Sequence, residues 1–163
     1  MRARNDIGDC MEFSGSIRLR TERKAVWAAL NDPVVLQACI PGCTRFEPLG
    51  NGLHGLEVGV GIGPLRATFD GSVRLVEIDP ARVYRLEGEG SGGMAGLAQG
   101  TAEVQLVEIE GGTELVYDIT AAAEGRIAQF GARMITGTAR RFTEQFFDRL
   151  AVHLDARWTV AGV

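Results

Sequence analysis

The chain has 163 residues, of which 45% are hydrophobic and 23% are charged, and its formal net charge is −4. This size and composition are typical of one soluble globular domain and exclude a chain that is disordered throughout. The acidic balance and the scattered basic residues argue against nucleic-acid binding. The chain also lacks a run of about 18 apolar residues that could cross a membrane.

Residues 1–10 are polar and follow no structural period, so we predict a disordered extension before a domain that spans residues 11–155. Residues 11–20 alternate between apolar and polar side chains, as a half-buried strand does. Two short helices are predicted next, one around Val26, Trp27 and Leu30 and one over residues 34–39, with Pro33 between them.

Strand patterns then follow one another with short turns between them. They cover residues 44–49, 53–61, 65–76, 82–89, 97–108 and 113–122. Consecutive strands joined by short turns, such as the glycine pair at 111–112, predict an antiparallel meander.

After Gly125 the apolar period changes from two to 3.6, which predicts a helix of about 28 residues. Its apolar side carries Ile127, Phe130, Met134, Ile135, Thr138, Phe142, Phe146, Leu150 and Leu154. Two short helices cannot cover both faces of the sheet, so the long helix must lie in its concave face. The predicted fold is therefore α+β, with six to seven antiparallel strands curved around one long C-terminal helix and residues 156–163 as a tail.

Five segments together resemble the carbon monoxide dehydrogenase G-subunit family, which belongs to the START-like, birch-pollen-allergen-like helix-grip (SRPBCC) superfamily. They are AVWAALNDPVVLQACIPGC (25–43), GPLRATFDGSVRL (63–75), GEGSGGMAGLAQGTAEVQL (88–106), GTELVYD (112–118) and QFFDRL (145–150). The resemblance covers residues 11–153, nearly the whole predicted domain.

This resemblance implies a non-catalytic accessory protein of a molybdenum hydroxylase, as a monomer or homodimer. It implies an internal cavity for an apolar quinone-, isoprenoid- or other lipid-like molecule, a role in recruiting or maturing the enzyme, and peripheral contact with the inner face of the cytoplasmic membrane. An assembly factor that works without a ligand is the alternative.

A sheet of this kind encloses more volume than one helix fills, and small residues do not refill it, so an apolar ligand is expected between them. The predicted ligand-binding residues are Val58, Val60, Leu65, Phe69, Tyr84, Leu86, Met94, Leu97, Tyr117, Phe130, Met134 and Phe142. The competing interpretation is that each of them is an ordinary core residue. Residues 90–96 (GSGGMAG) lack the context of a phosphate-binding loop, so they are predicted to be a flap with Met94 as an apolar contact, or a mobile hairpin.

Related folds also include cyclases and dehydratases, so the same cavity could serve an enzyme. The strand residues that could supply acid–base groups are His54, Glu57, Asp70, Tyr84 and Glu87. His54 and Glu57 have opposite parity on one strand and cannot both face inward. Asp70 shares the parity of Arg66 and Arg74, which favours a solvated ladder. No catalytic residue is therefore predicted.

Three cysteines, Cys10, Cys39 and Cys43, occur in a chain without a secretory signal, which predicts reduced thiols and a cytoplasmic protein. Cys39 and Cys43 lack further metal ligands nearby in sequence, so they are predicted to be buried thiols, with a turn at the cavity entrance as the alternative. No metal or cofactor is predicted.

Arginines 140, 141 and 149 could form a docking face on the long helix, although mixed charges there are more typical of a solvated surface.

Overall fold

The computed structural model describes residues 10–156 and 158–160. The predicted N-terminal extension therefore lies outside the described residues, apart from Cys10, where the first strand begins.

The elements follow the predicted order of one strand, two short helices, a strand meander and a long helix. In chain order they are β1 (Cys10–Leu19), α1 (Arg23–Leu30), α2 (Pro33–Cys39), β2 (Cys43–Gly50), β3 (Leu53–Ile62), β4 (Leu65–Asp79), β5 (Val83–Ser91), β6 (Leu97–Ile109), β7 (Gly112–Glu124), α3 (Gly131–His153) and β8 (Trp158–Val160). One-turn 3₁₀ helices at Gly93–Ala95 and Arg126–Phe130 precede β6 and α3.

The strands form one antiparallel sheet in the order β2-β3-β4-β5-β6-β7-β1-β8. Within the described residues this sheet has eight strands rather than the six to seven expected, because the segment predicted as a tail contributes β8. A three-residue strand is too short to show an alternating pattern. It is held by its pairing with residues 17–19 of β1 and by Trp158, whose Nε1 donates to Asp148 Oδ1 at 2.7 Å.

Helices α1 and α2 close one end of the sheet. The Asp32 carboxylate accepts a hydrogen bond from the Val34 amide at 3.0 Å, and Pro33 occupies the first turn, so α2 has a well-defined start. Val26 and Cys39 are fully buried on the inner sides of the two helices.

Helix α3 has 23 residues, fewer than the predicted 28, because the chain enters it through the 3₁₀ turn. Gly125 and Gly131 flank that turn with φ angles of +86° and +82°, a conformation that favours glycine and interrupts regular helix. Hydrophobic period alone does not distinguish this turn from the helix that follows it.

The two halves of α3 are packed differently. Phe147, Leu150 and Ala151 are buried in the main core, against the sheet and the short helices. A second, smaller cluster at the opposite end contains Ile62, Ala95, Ala123 and Ile127. The first half of α3 bridges these clusters and contains no fully buried side chain. In the described part of the chain, none of the helices combines the length and the hydropathy that a bilayer span requires.

The anchoring of α3 can be tested with one buried and one exposed position. Leu150 is 0% exposed, and Leu150→Ala should lower the free energy of unfolding by about 3 kcal/mol, because it leaves a void in the main core. Val152 is 80% exposed, and Val152→Ala should change that free energy by less than about 0.5 kcal/mol. Urea unfolding followed by circular dichroism measures both values, and equal losses would contradict this packing.

Candidate functional site

The concave face of the sheet changes from bulky to small side chains along its length. Toward α1, inward positions carry Tyr84, Val104 and Tyr117 in one row and Leu106, Leu115 and Ile17 in the next. Toward the other end they carry Gly88, Gly100 and Ala121 in one row and Gly90, Ala98 and Ala123 in the next. The bulky rows meet the second half of α3, whereas the small rows lie under its first half and leave space there.

This space is a cavity of about 510 Å³, open to solvent, between the small rows and the first half of α3. From the sheet, its inward-facing side chains include Met11, Phe13, Leu56, Val58, Val60, Ile62, Phe69, Val73, Leu86 and Ile119. From α3, Ile135, Thr138, Ala139, Phe142 and Thr143 close it. The lining is almost entirely apolar, so the cavity suits a hydrocarbon-rich molecule.

A second cavity of about 350 Å³ continues toward the main core. Leu56, Leu86 and Phe142 line both cavities, so the two are adjoining compartments of one hollow. Leu36 and Ile40 of the α2 region reach the smaller compartment, so the segment around α2 borders the hollow.

Seven of the twelve residues predicted from the sequence line the compartments. They are Val58, Val60, Phe69, Tyr84, Leu86, Tyr117 and Phe142. The alternation of inward and outward side chains in β3, β4, β5 and β7 was sufficient to place six of these residues, all except Phe142, on the inner face of the sheet.

The other five predicted residues lie elsewhere. Leu65 and Phe130 pack against the smaller cluster. Met134 lies next to the β3–β4 turn, because a Cβ added to Gly63 would be 3.1 Å from its Sδ atom. Leu97 faces outward because the inward parity of β6 falls on its neighbour, Ala98. Met94 is 85% exposed, whereas the adjacent Ala95 is buried and anchors the glycine-rich turn. Whether any of the twelve contacts a ligand remains a prediction.

The sequence reasoning missed lining residues that carry the same signal. Leu56 and Ile62 share the parity of Val58 and Val60 on β3, and Phe13 lies on the apolar face of β1. Thr138 was placed on the apolar side of the helix but not chosen as lining, whereas Ala139 and Thr143 were missed because small or hydroxyl side chains do not stand out in a hydrophobic period.

The candidate acid–base groups do not converge. Asp70 faces outward and its carboxylate lies 2.9 Å from the Arg45 guanidinium, while Glu57 accepts a hydrogen bond from the Thr44 hydroxyl at 2.8 Å. His54 is buried next to Phe46, with their ring centroids 5.2 Å apart. Among the described inward positions that line the two compartments, none carries a carboxylate.

The two tyrosines are the inward-facing ionisable side chains of the described lining. Tyr84 is buried edge-on to Trp27, with ring centroids 5.2 Å apart, and burial raises its pKa strongly. Burial also raises the pKa of Tyr117. The positive charge of Arg140 opposes this rise, whereas the negative charge of Glu144 adds to it. Both phenols are therefore protonated, and can donate hydrogen bonds, at neutral pH.

Cys39 and Cys43 are free thiols whose pKa values are raised by burial. Cys39 is almost fully buried in the main core, and Cys43 donates a hydrogen bond to the Arg45 carbonyl at 3.2 Å. A raised pKa leaves little reactive thiolate at neutral pH, so these groups are suited to packing rather than to chemistry.

The three arginines of α3 do not share one face. Arg140 borders a groove beside β1, and Arg141 donates to the Thr138 hydroxyl at 3.4 Å. Arg149 lies close enough to Cys39 of α2 to offset part of the rise in its pKa. A single docking face made of all three is therefore not formed.

Comparison with known proteins identifies one family. The model of the CoxG family, the G subunit of carbon monoxide dehydrogenase, matches residues 15–155. No curated protein matches the sequence significantly. A conserved protein from Geobacillus kaustophilus has a similar structure, with a TM-score of 0.84 and 28% identity over 91% of this chain and 99% of that chain.

Two further solved structures are similar at lower identity. The Zhui aromatase/cyclase from Streptomyces sp. R1128 has a TM-score of 0.65 and 12% identity, over 90% of this chain and 94% of its own. Ara h 8.0201 has a TM-score of 0.65 and 15% identity, over 90% of this chain and 98% of its own. Identities this low show the fold alone, which is the START-like helix-grip fold.

The buried phenols predict a stability change at high pH. Above about pH 10, where tyrosine ordinarily ionises, Tyr84 stays protonated in the folded protein but ionises in the unfolded chain. Its raised pKa therefore stabilises the fold below that pH, and the free energy of unfolding should fall as pH rises further. Tyr84→Phe should reduce this fall, as measured by urea unfolding between pH 8 and about pH 11, and the remainder comes from Tyr117, Cys39 and Cys43, whose pKa values burial also raises. A variant with the wild-type profile would contradict the assignment.

Proposed function

Because the chain belongs to the CoxG family of carbon monoxide dehydrogenase, we propose that it is a non-catalytic accessory protein of a molybdenum hydroxylase of that type. In this proposal the chain holds an apolar quinone- or isoprenoid-like molecule in the hollow beneath α3 and assists recruitment or maturation of the enzyme. The observation that carries the ligand is the pair of adjoining apolar compartments of about 510 and 350 Å³.

The affinity depends on how much apolar ligand surface the hollow buries. Burying roughly 300 Å² contributes about 7 kcal/mol at about 25 cal/mol per Å². If association and ordering cost about half of this, the remaining free energy corresponds to a Kd in the millimolar range, and at that fixed cost each further 100 Å² buried tightens it by roughly 70-fold. An open apolar hollow also costs stability when it is empty, so a filling ligand stabilises the folded state.

The family supports the partner, because it is named for a subunit of carbon monoxide dehydrogenase. Recruitment to a membrane and maturation of the enzyme are the roles that the resemblance implies, and both are compatible with a small carrier that docks on a larger enzyme.

A cyclase-like enzyme is the runner-up, since the similar Zhui structure is described as an aromatase/cyclase. That chain shares 12% identity and therefore shares the fold alone. The lining of the compartments offers the phenols of Tyr84 and Tyr117 but, within the described inward positions, no carboxylate to act with them. This lining favours binding over acid–base catalysis.

Ligand binding can be tested by filling the larger compartment. A Cβ on Gly88 would lie 3.5 Å from the Ser72 carbonyl and 3.6 Å from Val73 Cγ2, so Gly88→Val fits at its base and takes up part of the hollow. Protein from its own host should release a bound lipid on organic extraction, and Gly88→Val should release less of it and show a smaller thermal shift with menaquinone analogues. Glu87→Val adds the same side chain to the outer face and should retain both.

If wild type and both variants alike release no lipid and show no thermal shift, the carrier role is wrong. If, in that case, the hydroxylase co-purifies equally with wild type and with Gly88→Val, this result would favour an assembly factor that needs no ligand.

A further inference from the structure

A groove of about 490 Å³ separates the free edge of β1 from α3. Strand β8 pairs with β1 only at residues 17–19, so within the described chain residues 10–16 leave that edge open. The side chains of Thr136, Ala139, Arg140, Thr143 and Glu144 form the opposite wall. The groove is thus a lateral opening between the sheet and the helix that covers the hollow.

This groove adjoins both compartments of the hollow. Phe13 and Ala139 line the groove and the larger compartment, while Tyr117 and Phe147 line the groove and the smaller one. Thr143 lines all three. A molecule that extends from the hollow toward solvent on this side therefore passes between Tyr117 and Thr143.

The Tyr117 hydroxyl reaches the groove because Gly15 has no side chain. The two residues are directly paired, and a Cβ on Gly15 would lie 2.7 Å from the Tyr117 hydroxyl oxygen and 2.9 Å from the ring carbon that bears it. The ring therefore lies across β1, and its hydroxyl is directed toward the open edge. Any larger residue at position 15 would displace it.

The groove contains both donors and acceptors, but only the hydroxyls of Tyr117 and Thr143 also border the hollow. The Thr143 hydroxyl already donates to the Ala139 carbonyl at 2.8 Å, so the Tyr117 hydroxyl is the one left to donate to a ligand, with Arg140 as a donor farther into the groove. The opposite effects of Arg140 and Glu144 on the Tyr117 pKa show that both charges lie within electrostatic reach of its hydroxyl. Glu144 lies on the same wall as Arg140 and offsets its charge, so the inward-facing part of the described lining carries no net positive charge that would favour an anion.

We propose that this groove binds the polar end of the ligand, with the Tyr117 hydroxyl donating to a neutral carbonyl oxygen and Arg140 as a second donor. The hydrocarbon part then occupies the compartments beneath α3. This inference rests on the proposed function and specifies it: the ligand is a neutral, carbonyl-bearing amphiphile, and the lateral groove rather than the glycine-rich turn receives its head.

The test compares three probes: farnesyl-1,4-naphthoquinone, the carbonyl-free farnesyl naphthalene, which has the same hydrocarbon part, and palmitate as an anionic lipid. Quenching of the fluorescence of Trp27 and Trp158 measures their affinities. Wild type should bind the naphthoquinone more tightly than the naphthalene by about 2- to 10-fold, the value of one net hydrogen bond. Palmitate should bind more weakly than the naphthoquinone.

Tyr117→Phe keeps the ring and should abolish the preference for naphthoquinone while leaving the naphthalene affinity unchanged. Gly15→Ala should have the same selective effect because it displaces the hydroxyl. Arg140→Met should reduce naphthoquinone affinity, whereas Arg141→Met, the matched change at an arginine outside the groove lining, should not.

The outcomes separate this inference from the function on which it rests. If naphthoquinone and naphthalene bind wild type equally, or if Tyr117→Phe preserves the preference, the polar-end assignment is wrong and the carrier role stands. Tighter binding of palmitate would overturn the choice of a neutral head. If none of the probes binds, the carrier role itself fails and the assignment falls with it.

Discussion

The hollow depends on one constraint, which is that α3 cannot approach the small-residue end of the sheet. Its second half is fixed by Phe147 and Leu150 in the main core, and the chain before it is fixed by Ile127 in the smaller cluster. A rigid helix that is held at both ends keeps its distance from the sheet. The inward glycines and alanines between the two supports therefore leave empty space under α3 instead of letting the helix pack closer to the sheet. The apolar lining and the lateral groove both follow from that separation.

The fold could be predicted because period and order are properties of local sequence. The alternation of β1, the meander that follows and the change to a 3.6 period after Gly125 predicted the helix-grip arrangement, and the CoxG match and the structural neighbours confirm it. The short strand β8 and the 3₁₀ turn before α3 were missed, because elements of one turn or three residues have no period of their own.

The candidate site was predicted only in part, for a physical reason. The alternation of side chains along a strand places Val58 and Leu86 on the inner face of the sheet. It does not show whether a side chain of α3 or empty space lies opposite them. Leu97 is an example of an error in this step. It lies in a strand that was predicted correctly, but neighbouring residues of a strand point to opposite faces, and Leu97 faces the outer surface. Ala139 lines the hollow because of its position on α3 and not because of any chemical pattern. Similarly, the contact of Tyr117 with Gly15 joins two strands that are distant in sequence.

The independence of the two anchoring clusters has a consequence for how this architecture diversifies. Substitutions at inward positions between the two supports, such as Gly88 or Ala102, alter the enclosed volume without disturbing either support. The volume of the hollow is therefore adjustable by a few substitutions that leave both supports in place. A chain that shares only 12% identity with this one retains the same architecture.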